Sequence, residues 1–433
     1  MIDRLQELHS RLSSVHAPGT SIPVVQSAAI AQRALNALED GMRQSAAVLQ
    51  QDIRKQLATA SALANGNTQA LQASNKKLAM LQLRADSLFS TFDLLQDATA
   101  IRSDAAMGRM LRGVDVLLEH ALHRPIPGYT PPLAVSYLDS SGRGGAIARA
   151  RTRLPGGFIL GAALVRVSPE ALPLRLSSIL HEAGHQLSVD LGLLHEARAK
   201  VMRVVERTTG HPAAAKLYGS WVGELMADCW GIVLGGGAPA VDGLQRVLSL
   251  PEQLLYLIRR NAPHPPGPVR VSFADAASRL VYPDPCLDTL QQRFAEIYGT
   301  PTLPRAQRAR FRTLLKATPG AAHALMTEPF DGLGGRALVS CGAGWMVHPT
   351  RIRKFLPALH ENRLDDLARC PPLQGLAVLG FARIAGHLPV HRLSRITSDW
   401  LQGLADRSFR DIDLHAAADP QLPQSRSPMM RTM

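Results

Sequence analysis

The sequence predicts an α+β protein that is mostly helical, with a small sheet set between two helical regions. Three observations carry this expectation. Long stretches at both ends of the 433 residues repeat apolar side chains at helical spacing. Between about 134 and 167 the texture changes to short apolar runs separated by glycine and proline turns. A further helical stretch follows directly, carrying His and Glu at metal-ligand spacing. The length allows two or three domains with a sizeable core.

Residues 1–123 are rich in Ala, Gln, Leu and Ser and contain no Trp. Ser27 to Leu63 and Thr68 to Leu95 read as two long amphipathic helices, broken at Asn65-Gly66-Asn67. They are expected to pair antiparallel as a coiled-coil-like hairpin, with Arg102 to His123 as a third helix, in a domain spanning 1–124. A helical pattern alone names no partner, so a plain helical subdomain is preferred over an arm for a protein partner or a lid.

Pro125 to Pro132 forms a proline-rich joint into a second unit, 125–282. Ala134 to Leu138, Ala146 to Thr152 and Phe158 to Val167 read as strands, with Leu154-Pro155-Gly156-Gly157 as a turn. Gly142-Arg143-Gly144-Gly145 lacks the Lys-Ser/Thr and following helix of a phosphate loop and reads as a flexible turn.

The next segment organises the rest. Leu174 to Val189 carries an apolar stripe at Leu176, Ile179, Leu180, Ala183 and Leu187, with Pro173 at its start and Gly192 at its exit. Within it stands His181-Glu182-Ala183-Gly184-His185, the His-Glu-x-x-His pattern of zinc hydrolases. Residues four apart share a helix face, so both imidazoles can reach one Zn2+ ion. Glu182 sits one step round, where its carboxylate can take a proton from a water whose pKa the metal lowers to about 7.

A catalytic zinc needs a third protein ligand and an open fourth position. Pro212 to Leu234 reads as one helix that puts Glu224 and Asp228 on one face. Glu224 would complete the shell, and Asp228 would hold the second ring nitrogen of a zinc histidine. His195, Glu196 and His211 are the other candidates for the third position. The metzincin pattern fails, because Ser188 and Leu191 stand where its Gly and His belong.

With Glu224-Leu225-Met226-Ala227-Asp228, the chain resembles the gluzincin metallopeptidases, the group that contains thermolysin and the HtpX-like and CAAX prenyl proteases. The resemblance covers about 160–280 and implies a zincin-like core. It extends to His264-Pro265-Pro266-Gly267-Pro268-Val269-Arg270, which looks like the His-Pro…Arg element of HtpX-like proteases. There the His and Arg are thought to steady the tetrahedral intermediate, as donors near a developing oxyanion would. The bland alternative is a rigid turn with a capping Arg. The resemblance also implies a sheet whose edge strand pairs with an extended substrate, and Phe158 to Val167 is the expected edge.

Beyond 193–260, which read as helical, a C-terminal region 283–433 reads as helices at Leu287 to Tyr298, Arg305 to Leu315, Pro349 to His360 and Leu376 to Gly386. Its last stretch, 411–433, reads as a polar, disordered tail. Residues 301–400 hold 14 Lys/Arg against 6 Asp/Glu, much of the net charge of +13, with Arg351, Arg353, Lys354, Arg392 and Arg395 contributing. Without interleaved aromatics or a reading motif, this argues for a solvated basic surface and against nucleic acid as a partner. Cys229, Cys286, Cys341 and Cys370 show no paired spacing and read as buried thiols of a reducing compartment. The opening Met1-Ile2-Asp3-Arg4-Leu5-Gln6 lacks a signal peptide's features and no apolar run is long enough for a membrane span, so a cytoplasmic address is expected.

The expected function is a soluble zinc metallopeptidase that hydrolyses a peptide or protein substrate, with Glu182 as general base. The alternative is a catalytically reduced zincin fold used as a binding or regulatory module. The intact Glu182 argues against it.

Overall fold

The computed structural model describes residues 2–13, 24–62, 68–140, 145–169, 172–258, 262–298, 303–361, 363–386 and 388–418. It is mostly helical with a small sheet, in line with the expected class. The expected break at Asn65-Gly66-Asn67 and most of the Gly142–Gly145 turn lie outside the described residues. So do 419–433 of the expected tail.

Three helices open the chain: α1 (Ile2–Ser13), α2 (Gln32–Ala62) and α3 (Thr68–Ala100). Asp52 of α2 meets Arg84 of α3 at 3.9 Å, and Gln56 donates to Ser74, the crossing order of an antiparallel hairpin. Leu5, Leu8 and Leu12 of α1 are buried in the same cluster, so the hairpin carries a third helix that the sequence reading left out. A fourth, α4 (Ala105–Leu122), starts three residues later than expected, because Asp104 caps it by accepting from the Ala106 and Met107 amides. Arg102 is instead fully buried ahead of the helix. It pairs with Asp115 at 2.9 Å and donates to the Ser136 carbonyl.

The sheet has the order β1-β3-β2, with β1 (Leu133–Leu138) parallel to β3 (Ala162–Val167) and β2 (Ala146–Ala148) antiparallel to β3. Side chains alternate between two cores, as the period of a strand requires. Val135, Tyr137, Ala162 and Leu164 face the N-terminal helices, while Ala134, Ala163, Val165 and Val167 face the main core. This corrects the sequence reading of Phe158 to Val167 as the edge. An Ala-Ala-Leu-Val-Arg-Val run buried on both faces belongs in the middle of a sheet. The short, half-buried β2 takes the edge. The Leu154–Gly157 turn forms as expected, with Gly156 and Gly157 at φ of 86° and 88°.

After the sheet come α5 (Ser177–Asp190), α6 (Leu193–Thr209), α7 (Pro212–Gly235), α8 (Gly237–Val247), the short α9 (Glu252–Leu255) and α10 (Gly267–Val281). Then follow α11 (Cys286–Tyr298) and α12 (Arg305–Thr327). The expected 349–360 helix is split, Pro349–Ile352 and Leu356–His360 being joined by a tighter turn at Arg353–Phe355. A final helix, Val390–Ala418, replaces the first part of the expected frayed tail. Leu393, Ile396, Trp400, Leu401 and Leu404 give it an apolar stripe that returns to α4, where the Leu401 carbonyl leaves no room for a Cβ at Gly113. One hydrophobic cluster therefore runs from Val114 to Leu404 and surrounds α5 and α7. All four cysteines are unpaired, and among the described residues no helix is long and apolar enough to cross a membrane.

Candidate metal centre

Two glycines set the site's geometry. At the α5–α7 crossing, a Cβ on Gly184 would lie 2.7 Å from the Trp230 Cβ and 2.9 Å from the Ala227 backbone. The missing side chain lets the two helices approach closely and brings Glu224 and Asp228 opposite His181 and His185. Gly184→Ala is expected to lower stability by about 1–3 kcal/mol of overpacking, less the ~1 kcal/mol gained in helix propensity. Thermal unfolding of the variant measures the balance, and a raised melting temperature would show that the crossing can give way. On the other side, a Cβ on Gly145, just before β2, would lie 2.7 Å from the Glu182 carboxylate, so bare backbone covers that side chain.

The side chains of His181, His185 and Glu224 converge, one donor atom from each lying within 4.8 Å of the others. His181 Nε2 and His185 Nε2 are 3.1 Å apart. Glu224 Oε1 is 3.4 Å from His185 Nε2, and Oε2 is 3.5 Å from His181 Nε2. Two imidazoles and a carboxylate in this arrangement could hold a metal ion. The other candidates for a third ligand lie elsewhere: His195 and His211 are exposed, and Glu196 pairs with Lys200 and accepts from the Asp331 amide.

Around these donors lies a buried ionic network. Asp228 Oδ1 is 2.8 Å from His181 Nδ1, which fixes the ring so that Nε2 faces Glu224. Arg270 grips the same carboxylate with two bonds, Nε to Oδ2 at 2.7 Å and Nη2 to Oδ1 at 2.8 Å, and its Nη2 is 3.1 Å from Glu224 Oε2. Burial opposes charge on His181, but Asp228 and Glu224 outweigh it and push its pKa up to about 9. Burial would also raise Glu224 and Asp228. For Glu224 the bonds from both histidines and the Arg270 charge win, and for Asp228 the Arg270 charge and bonds win, so both stay below the usual carboxylate range. Glu182 goes the other way: burial pushes its carboxyl up against the pull of His181 and His185.

His181, Glu182, His185, Glu224, Asp228, His264 and Arg270 all line one cavity, while His195, Glu196 and His211 do not. Arg270 lies in the first turn of α10, buried against Asp228. His264 is exposed at the mouth, its Nε2 3.5 Å from Glu224 Oε1. Sequence reasoning missed Gln186, whose buried amide oxygen accepts from the Ala150 backbone and ties α5 to the chain leaving β2. It also missed the cavity, about 780 Å³, bounded by the β2 edge, the cluster and a leucine wall from α8 and α9. No protein-family model matches the chain, and neither does any curated protein or solved structure.

Proposed function

We propose that this chain is a zinc-dependent peptidase. The observation that carries the reading is the spacing of the three donors. A tetrahedral zinc with bonds of about 2.0–2.1 Å has donor–donor edges of about 3.3–3.4 Å. His181 Nε2 and His185 Nε2 stand 3.1 Å apart. The Glu224 carboxylate spans them, with Oε1 3.4 Å from His185 Nε2 and Oε2 3.5 Å from His181 Nε2, one donor atom from each residue lying within 4.8 Å of the others. Nitrogen and carboxylate donors with a buried Asp behind one histidine suit zinc, and the adjoining cavity leaves a side for substrate.

Bound there, zinc would act as a Lewis acid on a carbonyl and acidify a water. The chain's own residues do the rest. Glu182, its proton affinity raised by burial, takes the water's proton and returns it to the leaving amine. His264, exposed at the cavity mouth, donates to the carbonyl oxygen as charge develops. Arg270 acts as a positioning residue through Asp228 and Glu224. The β2 edge, unpaired among the described residues, bounds the cavity and would offer backbone groups to an extended peptide.

Metal content is the first test. Wild type is expected to bind about one zinc per chain and to cleave casein or a peptide library. His181→Ala and Glu224→Ala are each expected to lose most of the metal. Full zinc retention in folded Glu224→Ala protein would move the third ligand elsewhere, and a wild type that holds no zinc would sink the reading.

A further inference from the structure

We infer that the cleft selects an extended peptide with a large aliphatic side chain on one side of the cleaved bond and an acidic side chain on the other. This rests on the peptidase reading and deepens it. The argument starts from how the cavity lies along α5. Gly145 packs on Glu182, and the Ala150 amide bonds to Gln186 at 2.9 Å, so the chain through β2 runs alongside α5 toward its C-terminal half. Arg149, the residue before Ala150, therefore lines the cavity at the Gln186 end. At the other end, a Cβ on Gly243 would collide with the Ser177 hydroxyl, so α8 meets α5 at its first turn. The two walls are separated by nine helical residues, about 13 Å at 1.5 Å each. An extended peptide covers that distance with about four residues at 3.3 Å each, and the His181–His185–Glu224 cluster lies between the ends.

The two ends differ in chemistry. From the Ser177 end, α8 brings Leu244 and Leu248 to the cavity, where they pack with Leu255 of α9. Leu250, Leu254 and Leu257 of the same stretch line the cavity with them. Leu254 and Leu257 are 49% and 42% exposed, so apolar surface stands open at the cavity mouth and awaits cover. The Gln186 end carries Arg149, exposed and with no ion pair among the described residues. The other arginines lining the cavity are partnered: Arg270 grips Asp228, and Arg166 is 3.7 Å from Asp139. An uncompensated guanidinium at one end and a leucine wall at the other fit a substrate of matching polarity.

The test uses the full-length, zinc-loaded chain and a mixed peptide library, with cleavage sites read by mass spectrometry. Wild type is expected to enrich Leu, Ile or Phe on one side of the bond and Asp or Glu on the other. Matched peptides then give ratios of kcat/KM. Arg149→Glu should invert the Glu-over-Lys preference, starting from about 5–10-fold and weakening as salt is raised. Leu254→Lys should cut the Leu-over-Ser preference on the other side by about tenfold. Both sites are exposed, so the variants are expected to fold. Anisotropy titration of the same labelled peptides onto zinc-loaded Glu182→Gln should rank them identically without turnover. Cleavage with a flat profile, or a Glu-to-Lys ratio untouched by Arg149→Glu, overturns this inference and leaves the peptidase reading standing. Zinc-loaded wild type that cleaves nothing overturns that reading and this inference with it.

Discussion

Glu182→Gln is expected to keep the metal and the fold and to lose about 10²–10⁴-fold in kcat, the range for removing a general base. The substitution is nearly isosteric. It preserves the packing of the side chain beneath the Gly145 backbone, where even one added carbon would not fit. Only the proton acceptor goes. Glu182 is not among the converging donors, so zinc content should stay at the wild-type level. Burial that raises the Glu182 carboxyl makes it a stronger base than an exposed glutamate, and an amide has no comparable basicity. The measurement pairs kcat on a cleaved peptide with elemental analysis and a melting curve. Wild-type turnover in folded, zinc-loaded Glu182→Gln would remove the residue from the chemistry, and lost zinc would assign it to the metal shell.

Much of this site was legible in the sequence because it rests on local rules. His181, Glu182 and His185 take their relation from helical periodicity alone, and Glu224 and Asp228 take theirs from the same rule on a second helix. What brings the two helices together could be read only in part. Gly184 costs helix propensity and so hints at a packing reason, but the Trp230 and Ala227 contacts that supply it are long-range. The sheet order was misread by weighing resemblance over burial. The continuous apolar run of β3 already favoured a central strand, and the brevity of β2 an edge. The final helix was missed because its polar end masked the stripe from Leu393 to Leu404. The prolines before Arg270 suggested a rigid turn. Pro266 and Pro268 instead flank the start of α10, where proline is well tolerated. From that position the Arg270 guanidinium bonds Asp228 and Glu224 in the buried ionic network while still lining the cavity.

The second large effect follows from that network. Arg270→Met, which keeps much of the side-chain volume, is expected to cost about 3–5 kcal/mol of stability in the presence of a chelator, as breaking a buried ion pair does. The loss comes less from missing contacts than from what remains: Asp228 and Glu224, both buried, would keep their carboxylates without the guanidinium that holds them charged. Zinc separates this account from simple packing. The metal would bind beside Glu224 and bring positive charge back to the pair, so it should stabilise the variant more than it stabilises wild type. The gap in melting temperature between Arg270→Met and wild type is therefore expected to be wide in chelator and to narrow on zinc addition. Arg270→Lys keeps a charge but not the two parallel bonds to Asp228, and should fall between them. A role confined to filling space predicts the same gap with and without zinc, and no rescue by Lys beyond that of Met. Melting curves of the three proteins in chelator and in zinc decide the matter, and an Arg270→Met variant as stable as wild type in chelator would show that the carboxylates need no cation there.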